Sequence, residues 1–177
     1  ANLVNMHSGY NGLQSGLSII LLITLCFKSY LDEKLVNIIP LGAILGSMLS
    51  FYSYNRYPSK AFEGNIGSLF FGSVIGCTIV IQQYWWFGFF IMIPHSFNFL
   101  LWIYWLYMMK AYPDKYLKSA NKHQKFGKLR KDNTIEVPNA LTLKWIPNYY
   151  YNLTEPQSTA ISLGITIIFC VFGILVF

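Results

Sequence analysis

Five apolar segments, each close to the length that a helix needs to cross a bilayer, constrain the fold of this chain more than any other feature. A spanning helix needs about 20 mostly apolar residues. The segments are residues 13–31, 35–54, 65–83, 86–109 and 157–177. Only 11% of the 177 residues are charged and the mean hydropathy is +0.41, whereas a soluble domain carries about 25% charged residues. The sequence therefore predicts an all-α integral membrane protein that forms a single membrane domain over residues 1–177.

A long basic segment, residues 110–156, indicates which way the chain crosses the lipid bilayer. It carries nine lysines and arginines against four acidic residues. Loops of up to about 60 residues that are rich in lysine and arginine stay on the cytoplasmic side of a membrane. Counting helices back from this loop places residues 55–64 and the opening residues 1–12 on the same side. Three polar stretches are therefore predicted to meet at the cytoplasmic face of a multi-pass protein.

The opening stretch, "ANLVNMHSGYNGLQSG", places amides and glycines at the mouth of an apolar helix. Gly9 and Gly12 allow close approach of the backbone, and the amides of Asn5 and Asn11 can bond a polar ligand. The same residues also suit a polar helix junction that holds no ligand. The stretch by itself leaves both interpretations open.

Two further stretches have features of a phosphate site. In "NRYPSKAFEGNIGSLFFG", residues 55–72, Gly64 and Asn65 precede a helix that is predicted to start near Ile66. The N–H groups at such a start favour anions, although an ordinary capped helix has the same pattern. The loop "NKHQKFGKLRKDNTIE", residues 121–136, either captures phosphates or is a solvated loop that sets topology. No RNA-binding motif is present, so no nucleic acid partner is expected.

Together with "IPHSFNFL", these stretches resemble the polyprenyl-phosphate N-acetylhexosamine-1-phosphate transferases, which form glycosyl transferase family 4. The resemblance covers about residues 2–136 and is most specific in the first two motifs. It is closest to the archaeal and eukaryotic UDP-GlcNAc–dolichyl-phosphate GlcNAc-1-phosphate transferases. The bacterial relatives usually have aspartates where this chain has Ser8 and Asn11.

The resemblance implies a fold and a place in the cell. The family forms a bundle of about ten transmembrane helices with its active site on the cytoplasmic face, and five helices here would be the C-terminal half. Its acidic motif is expected upstream of Ala1, so the catalytic residues are unknown and the chain is expected to need an N-terminal half, or a homodimer. The membrane would be the cell membrane in an archaeon and the endoplasmic reticulum in a eukaryote.

The resemblance also implies a reaction and its residues. GlcNAc-1-phosphate passes from UDP-GlcNAc to a polyprenyl (dolichyl) phosphate with release of UMP, the first step of lipid-linked oligosaccharide assembly. Eight residues match positions with a role in this reaction: the Mg²⁺ (or Mn²⁺) ligands Asn5 and Asn65, the uracil site of Gly9, Asn11 and Phe62, and the sugar and phosphate contacts Lys122, His123 and Lys125. Asn65 departs from the family, because most members have an aspartate there.

Three other functions compete with this transferase. The chain could act on a different UDP-N-acetylhexosamine, since the basic loop does not exclude another donor. It could be a non-catalytic membrane subunit or an inactive homologue, because Asn65 supplies no charge to a metal. A transporter or channel is disfavoured, since the spans contain neither central charges nor an internal repeat.

Overall fold

The computed structural model describes residues 1–34, 36, 38–116 and 127–177, with the backbone alone at 114 and 115. Its helices are α1 Asn2–Met6, α2 Leu13–Leu31, α3 Ile38–Asn55, α4 Gly64–Ile81, α5 Trp85–Ile91, α6 Ile93–Ala111, α7 Pro113–Tyr116, α8 Trp145–Tyr150 and α9 Glu155–Val176. Two short strands, β1 Lys128–Leu129 and β2 Ile135–Glu136, pair antiparallel as a hairpin. The prediction of an all-α membrane protein is confirmed.

Each of the five predicted segments is mostly helical over its described residues, but one of them is not a single helix. Residues 86–109 were predicted as one span, whereas α5 and α6 are separate helices that meet at Met92 with a bend of 59°. Pro94 lies in the first turn of α6. Proline has no N–H to donate and disfavours a helical residue before it, so a helix break at this point follows from the sequence.

Three helices are long and apolar enough to cross a membrane, namely α2, α4 and α9, and the bent pair α5–α6 makes a fourth if it counts as one span. These are candidates within the described part of the chain, found by length and composition. The remaining predicted segment is α3, whose last turn contains Tyr52, Ser53, Tyr54 and Asn55. The helices α3 and α4 have the same length. The polar residues in the last turn of α3 lower its mean hydropathy, so α3 is not among the candidate spans.

The core is built around α2. Of its most apolar stretch, 72% is buried, against 28% in α4 and in α9. It packs against α3, α4 and α9, and Leu17, Leu21 and Leu25 are fully buried. Large apolar residues such as Phe172 and Leu175 on α9 are exposed instead. An exposed apolar face is favourable in lipid, so α2 forms the centre and the other spans form a lipid-facing shell.

Two close backbone approaches bring α1 and the turn after it against α3 and α4. A Cβ atom on Gly72 of α4 would lie 2.6 Å from the backbone of Ala1. Gly12 is the N-cap residue of α2 with φ +71°, and a Cβ atom there would lie 2.9 Å from Cα of Arg56. Only glycine fits both demands at position 12, because its backbone tolerates positive φ without steric cost.

The segment predicted as a loop over residues 110–156 contains ordered structure where it is described. The hairpin is attached to the start of α9, because Ile135 N donates to Leu153 O at 2.9 Å. Trp145, in α8, is fully buried and packs in a cluster with Tyr10, Leu13 and Leu17. The segment therefore folds back over the turn between α1 and α2. Its placement on the cytoplasmic side stays a prediction.

Candidate functional site

A cavity of about 430 Å³, with polar side chains among most of its lining residues, lies where the α1–α2 turn meets the start of α4. We call it the first cavity. Five of the predicted site residues line it: Asn5, Gly9, Asn11, Phe62 and Asn65. They come from two motifs about 50 residues apart in the chain, and the fold brings them together. The volume is within the usual range of about 300–1,000 Å³ for small-molecule sites.

The two predicted metal ligands are held on one side of this cavity through Ser68. The Ser68 hydroxyl lies 2.6 Å from Asn5 Oδ1, 2.8 Å from Gly64 O and 3.0 Å from Asn65 O. Since Ser68 is buried in α4, it fixes the amide oxygen of Asn5 against the first turn of this helix, which contains Asn65. The two motifs are thus joined at their predicted metal ligands.

The start of α4 differs from the sequence prediction. The helix was expected to begin near Ile66 after a capping residue, whereas it begins at Gly64 and Asn65 is its second residue. The N-cap position belongs to Glu63, whose side chain makes no capping hydrogen bond. The Asn65 side chain is therefore not used as a cap and lines the cavity.

The Phe62 ring is presented to the cavity by a turn that Asn55 stabilises. Asn55 is 1% exposed, and its Nδ2 donates to Ala61 O and to Glu63 Oε2, each at 2.8 Å. These bonds hold the residues on both sides of Phe62, while the Phe62 side chain is 75% exposed. An exposed aromatic ring on a fixed turn is a suitable platform for stacking a base.

The α1–α2 turn carries the other two predicted uracil contacts. Gly9 has φ +118°, a backbone conformation that residues other than glycine rarely adopt. The backbone N–H of Asn11 donates to Glu155 Oε1 at 2.5 Å. The turn is therefore tied to the first residue of α9, and the Asn11 side chain lines the cavity.

Sequence reasoning missed several residues of this cavity. Gln14, in the first turn of α2, lines it at 2% exposure, and its Nε2 has no hydrogen-bond partner among the described residues. Glu63 is the only acidic residue in the described lining. An amide early in an apolar helix was the one available signal for Gln14. Nothing in the sequence distinguished Glu63 from other loop acids.

Two titratable residues of the α1–α2 turn are held neutral. Burial, followed by the charges of His95 and Lys144, lowers the pKa of His7 well below its ordinary value. The His7 and His95 rings contact each other edge to face, with centroids 4.8 Å apart. Burial, followed by the charge of Glu155, raises the pKa of Tyr10. The Tyr10 hydroxyl therefore stays protonated and donates to Asn148 Oδ1 at 3.1 Å.

The donor chemistry of the first cavity fits a hard divalent cation. Mg²⁺ prefers oxygen ligands and keeps several waters, and the amide oxygens of Asn5 and Asn65 with the carboxylate of Glu63 offer such a set. Only Glu63 contributes negative charge. Within the described ranges, no group of three His, Cys, Asp or Glu side chains is arranged to hold a metal.

A second cavity of about 350 Å³ adjoins the first one and shares Asn5, Ser8 and Asn65 with it. Its other lining residues come from α1, α6, the segment before α8 and the first residue of α8: Met6, Asn98, Trp102, Trp105, Thr142, Lys144 and Trp145. The remaining predicted contacts, Lys122, His123 and Lys125, lie outside the described residues. Their contact with sugar and phosphates stays a prediction.

The fold and the site define an all-α integral membrane protein with a cavity between the α1–α2 turn and the start of α4. Residues 1–83 match the family model described as glycosyl transferase family 4. The motifs resemble this same family, and the match supports the family over just under half of the chain.

Curated relatives match the same part of the chain. Phospho-N-acetylmuramoyl-pentapeptide-transferases of Streptococcus pyogenes serotype M49 (strain NZ131) and of serotype M1 are each 33% identical over 86 residues. Each alignment covers 48% of this chain and 26% of the relative. The chain thus matches about a quarter of the length of these relatives. Both are bacterial, so the archaeal or eukaryotic branch stays a prediction.

Proposed function

We propose that the chain forms part of the substrate site of a phosphoglycosyl transferase, which moves GlcNAc-1-phosphate from UDP-GlcNAc to a polyprenyl phosphate such as dolichyl phosphate. The observation that carries this proposal is the first cavity. It gathers Asn5, Gly9, Asn11, Phe62 and Asn65 from two separate motifs. All five residues lie in the range 1–83 that matches glycosyl transferase family 4.

In this reaction an oxygen of the lipid phosphate attacks the β-phosphorus of UDP-GlcNAc. The bond from that phosphorus to the bridging oxygen breaks, and UMP leaves. The Phe62 ring stacks on the uracil, Gly9 lets the backbone approach the base, and the Asn11 amide bonds its edge. The oxygens of Asn5, Asn65 and Glu63 would hold a divalent cation. When bound, Mg²⁺ (or Mn²⁺) there neutralises pyrophosphate charge.

A second candidate donor is a different UDP-N-acetylhexosamine. The relatives are named for transfer of phospho-N-acetylmuramoyl-pentapeptide, which favours a larger sugar. The described residues of the first cavity would serve either donor, because the uridine part is the same. The proposed discriminating residues are Lys122, His123 and Lys125 in the basic loop.

The alignment covers only about a quarter of the relatives' length, so the experiment measures ligand binding by this chain and not turnover of substrate. The chain is reconstituted in lipid nanodiscs and titrated calorimetrically with UDP and with ADP, with and without Mg²⁺. We expect UDP to bind more tightly than ADP, and Mg²⁺ to strengthen UDP binding. Titration with UDP-GlcNAc and UDP-N-acetylmuramic acid then distinguishes the two donors.

The decisive variant is Phe62→Ala. Loss of a base–aromatic stack is expected to weaken UDP binding about tenfold, while the thermal unfolding temperature stays unchanged because the ring is exposed. The control is Tyr54→Ala, which removes an exposed ring of α3 outside the described linings of both cavities. Equal UDP affinity of Phe62→Ala and the unchanged chain would contradict the proposal.

A further inference from the structure

Three consecutive tyrosines with exposed rings lie shortly before α9. Tyr149 and Tyr150 are the last residues of α8, and Tyr151 is its C-cap residue. Their exposed fractions are 54%, 68% and 70%, and the rings of Tyr149 and Tyr150 contact each other edge to face with centroids 5.3 Å apart. We call these three residues the tyrosine patch. Its rings are apolar and its hydroxyls are polar, so it suits a boundary between an apolar and a polar medium.

The patch is held in place beside the start of α9. The buried amide of Asn148, the residue before the patch, accepts from the Tyr10 hydroxyl at 3.1 Å and donates to Leu153 O at 3.0 Å. Thr154 and Gln157 then form a capping box at the start of α9. Since only residues 152–154 separate the patch from this helix, the tyrosines lie close to the end at which α9 begins.

One face of α9 is apolar and exposed along most of the helix. Ile161, Ile168 and Leu175 follow each other at intervals of seven residues, so they lie on the same side of the helix. All three are exposed. The helix is a candidate membrane span, and such an apolar face is favourable in lipid. It begins in the second turn of α9, so the tyrosine patch lies beside one end of a lipid-facing surface.

A second pair of exposed aromatic rings lies at the other end of α9. Trp85 and Trp86, the first residues of α5, are both exposed. Lys28 Nζ donates to Phe177 O at 3.0 Å and lies 5.8 Å from the ring centroid of Tyr84, so the residue before Trp85 is close to the end of α9. This helix has 22 residues and is about 33 Å long. The hydrocarbon core of a bilayer is about 30 Å thick.

From this arrangement we propose that the tyrosine patch docks in the headgroup layer of the lipid bilayer. Tyrosine and tryptophan are enriched at both membrane–water interfaces, and the patch and the Trp85–Trp86 pair are about one bilayer thickness apart along α9. The tyrosine rings would lie against the glycerol and upper acyl region, and their hydroxyls would donate to ester and phosphate oxygens of phospholipids. This inference rests on the fold and does not depend on the proposed function.

The test measures the depth of position 150 in the bilayer. A nitroxide spin label is attached to Tyr150→Cys in a chain that carries Cys26→Ala, Cys77→Ala and Cys170→Ala, and the labelled chain is reconstituted in phosphatidylcholine nanodiscs. Power-saturation electron paramagnetic resonance compares collisions of the label with O2, which concentrates in lipid, and with a water-soluble nickel chelate. We expect both to reach the label, at a depth within about 10 Å of the lipid phosphates.

Matched labels on the same chain calibrate this depth. Ile168→Cys, near the middle of the exposed face of α9, should be reached by O2 and hardly by the nickel chelate. Lys131→Cys, on the exposed turn between β1 and β2, should be reached mainly by the nickel chelate. Trp86→Cys should lie at the same depth as Tyr150→Cys, because both positions are assigned to an interface. All four positions are exposed, so the unfolding temperature should not change.

A second measurement keeps the native cysteines, in case the cysteine-free chain does not fold. Tyr150→benzoylphenylalanine is irradiated in the same nanodiscs, and the products are analysed by mass spectrometry. We expect an adduct with a phospholipid, because benzophenone reacts with C–H bonds that contact it. Lys131→benzoylphenylalanine is the control and should give no lipid adduct.

Three results would overturn the inference. A label at position 150 that collides mainly with the nickel chelate would place the patch in water. A label that neither reagent reaches, or a cross-link from position 150 to another polypeptide or a second copy of the chain, would show that protein covers the patch. A label as deep as that of Ile168→Cys would place the patch in the hydrocarbon core.

Discussion

The Ser15 hydroxyl donates a hydrogen bond of 2.6 Å to Asn55 Oδ1, and this contact joins the start of α2 to the end of α3. Both residues are buried. The Nδ2 of the same Asn55 donates to Ala61 O and Glu63 Oε2 on the turn that carries Phe62. One amide therefore couples the central helix of the bundle to the exposed ring of the first cavity.

Replacing this amide tests that coupling. Asn55→Ala should lower the free energy of unfolding by about 2–3 kcal/mol, because the Ser15 hydroxyl and the turn both lose a buried partner. It should also weaken UDP binding, because the residues beside Phe62 are no longer held. Chemical denaturation in detergent and calorimetry measure the two effects. The control is Ser53→Ala, whose exposed hydroxyl bonds only within α3. Unchanged stability of Asn55→Ala would contradict this role.

Gln14 should show opposite effects on stability and on binding. Gln14→Leu removes a buried amide whose Nε2 has no described partner, so the unfolding free energy should rise by about 1 kcal/mol. If the amide bonds the ligand, UDP affinity should fall about fivefold in the same variant. Ser18→Ala, one turn further along α2, removes another buried group without a described partner, away from the cavity. Ser18→Ala should leave UDP binding unchanged. Parallel loss of stability and binding in Gln14→Leu would instead indicate a structural amide.

The helices were predictable because their apolar length is a local property, whereas the burial of α2 was not. The apolar segments have similar lengths and compositions in the sequence. The helix α2 becomes the core only because α3, α4 and α9 pack around it. The break at Met92 could have been inferred from Pro94, but the long apolar run masked it.

The candidate site was predictable where it depends on compact motifs. Asn5 and Phe62 line one cavity, as the placement of their motifs on one face suggested. The second cavity was not foreseen, because it forms only when the segment containing Thr142 and Trp145 folds back over α1 and α6. Contacts between segments so far apart in the chain produce no periodic pattern in the sequence.

Two glycines one turn apart on α4 should respond differently to alanine. A Cβ atom at Gly72 would lie 2.6 Å from the backbone of Ala1, while a Cβ atom at Gly76 meets no described atom within 4 Å. Gly72→Ala should therefore cost about 1–3 kcal/mol of unfolding free energy through overpacking. Gly76→Ala should be neutral or slightly stabilising, because alanine favours the helix. Thermal unfolding of both variants checks this, and equal effects would argue against close packing of α1 on α4.

A carboxylate at position 65 should strengthen cation binding in the first cavity. Asn65→Asp adds a second negative charge to the lining that now has only Glu63 among its described acids. Cation affinity rises with the charge of the ligands, so the dissociation constant for Mn²⁺, measured by electron paramagnetic resonance, should fall about tenfold. Asn152→Asp adds the same charge on an exposed residue elsewhere and serves as the control. An unchanged dissociation constant in Asn65→Asp would show that the cation is held by other residues.

His7 should make the stability of the protein depend on pH. Because its folded pKa lies well below 6.5, the unfolded chain binds a proton below that pH and the folded chain does not. Stability is therefore complete above pH 6.5 and falls as the pH drops, by up to about 1.4 kcal/mol per pH unit for one group. His7→Leu should reduce this slope between pH 7.5 and 5.5, measured by chemical denaturation in detergent. Met6→Leu, the neutral neighbour, should keep the full slope. An unchanged slope in His7→Leu would assign the pH dependence to other groups.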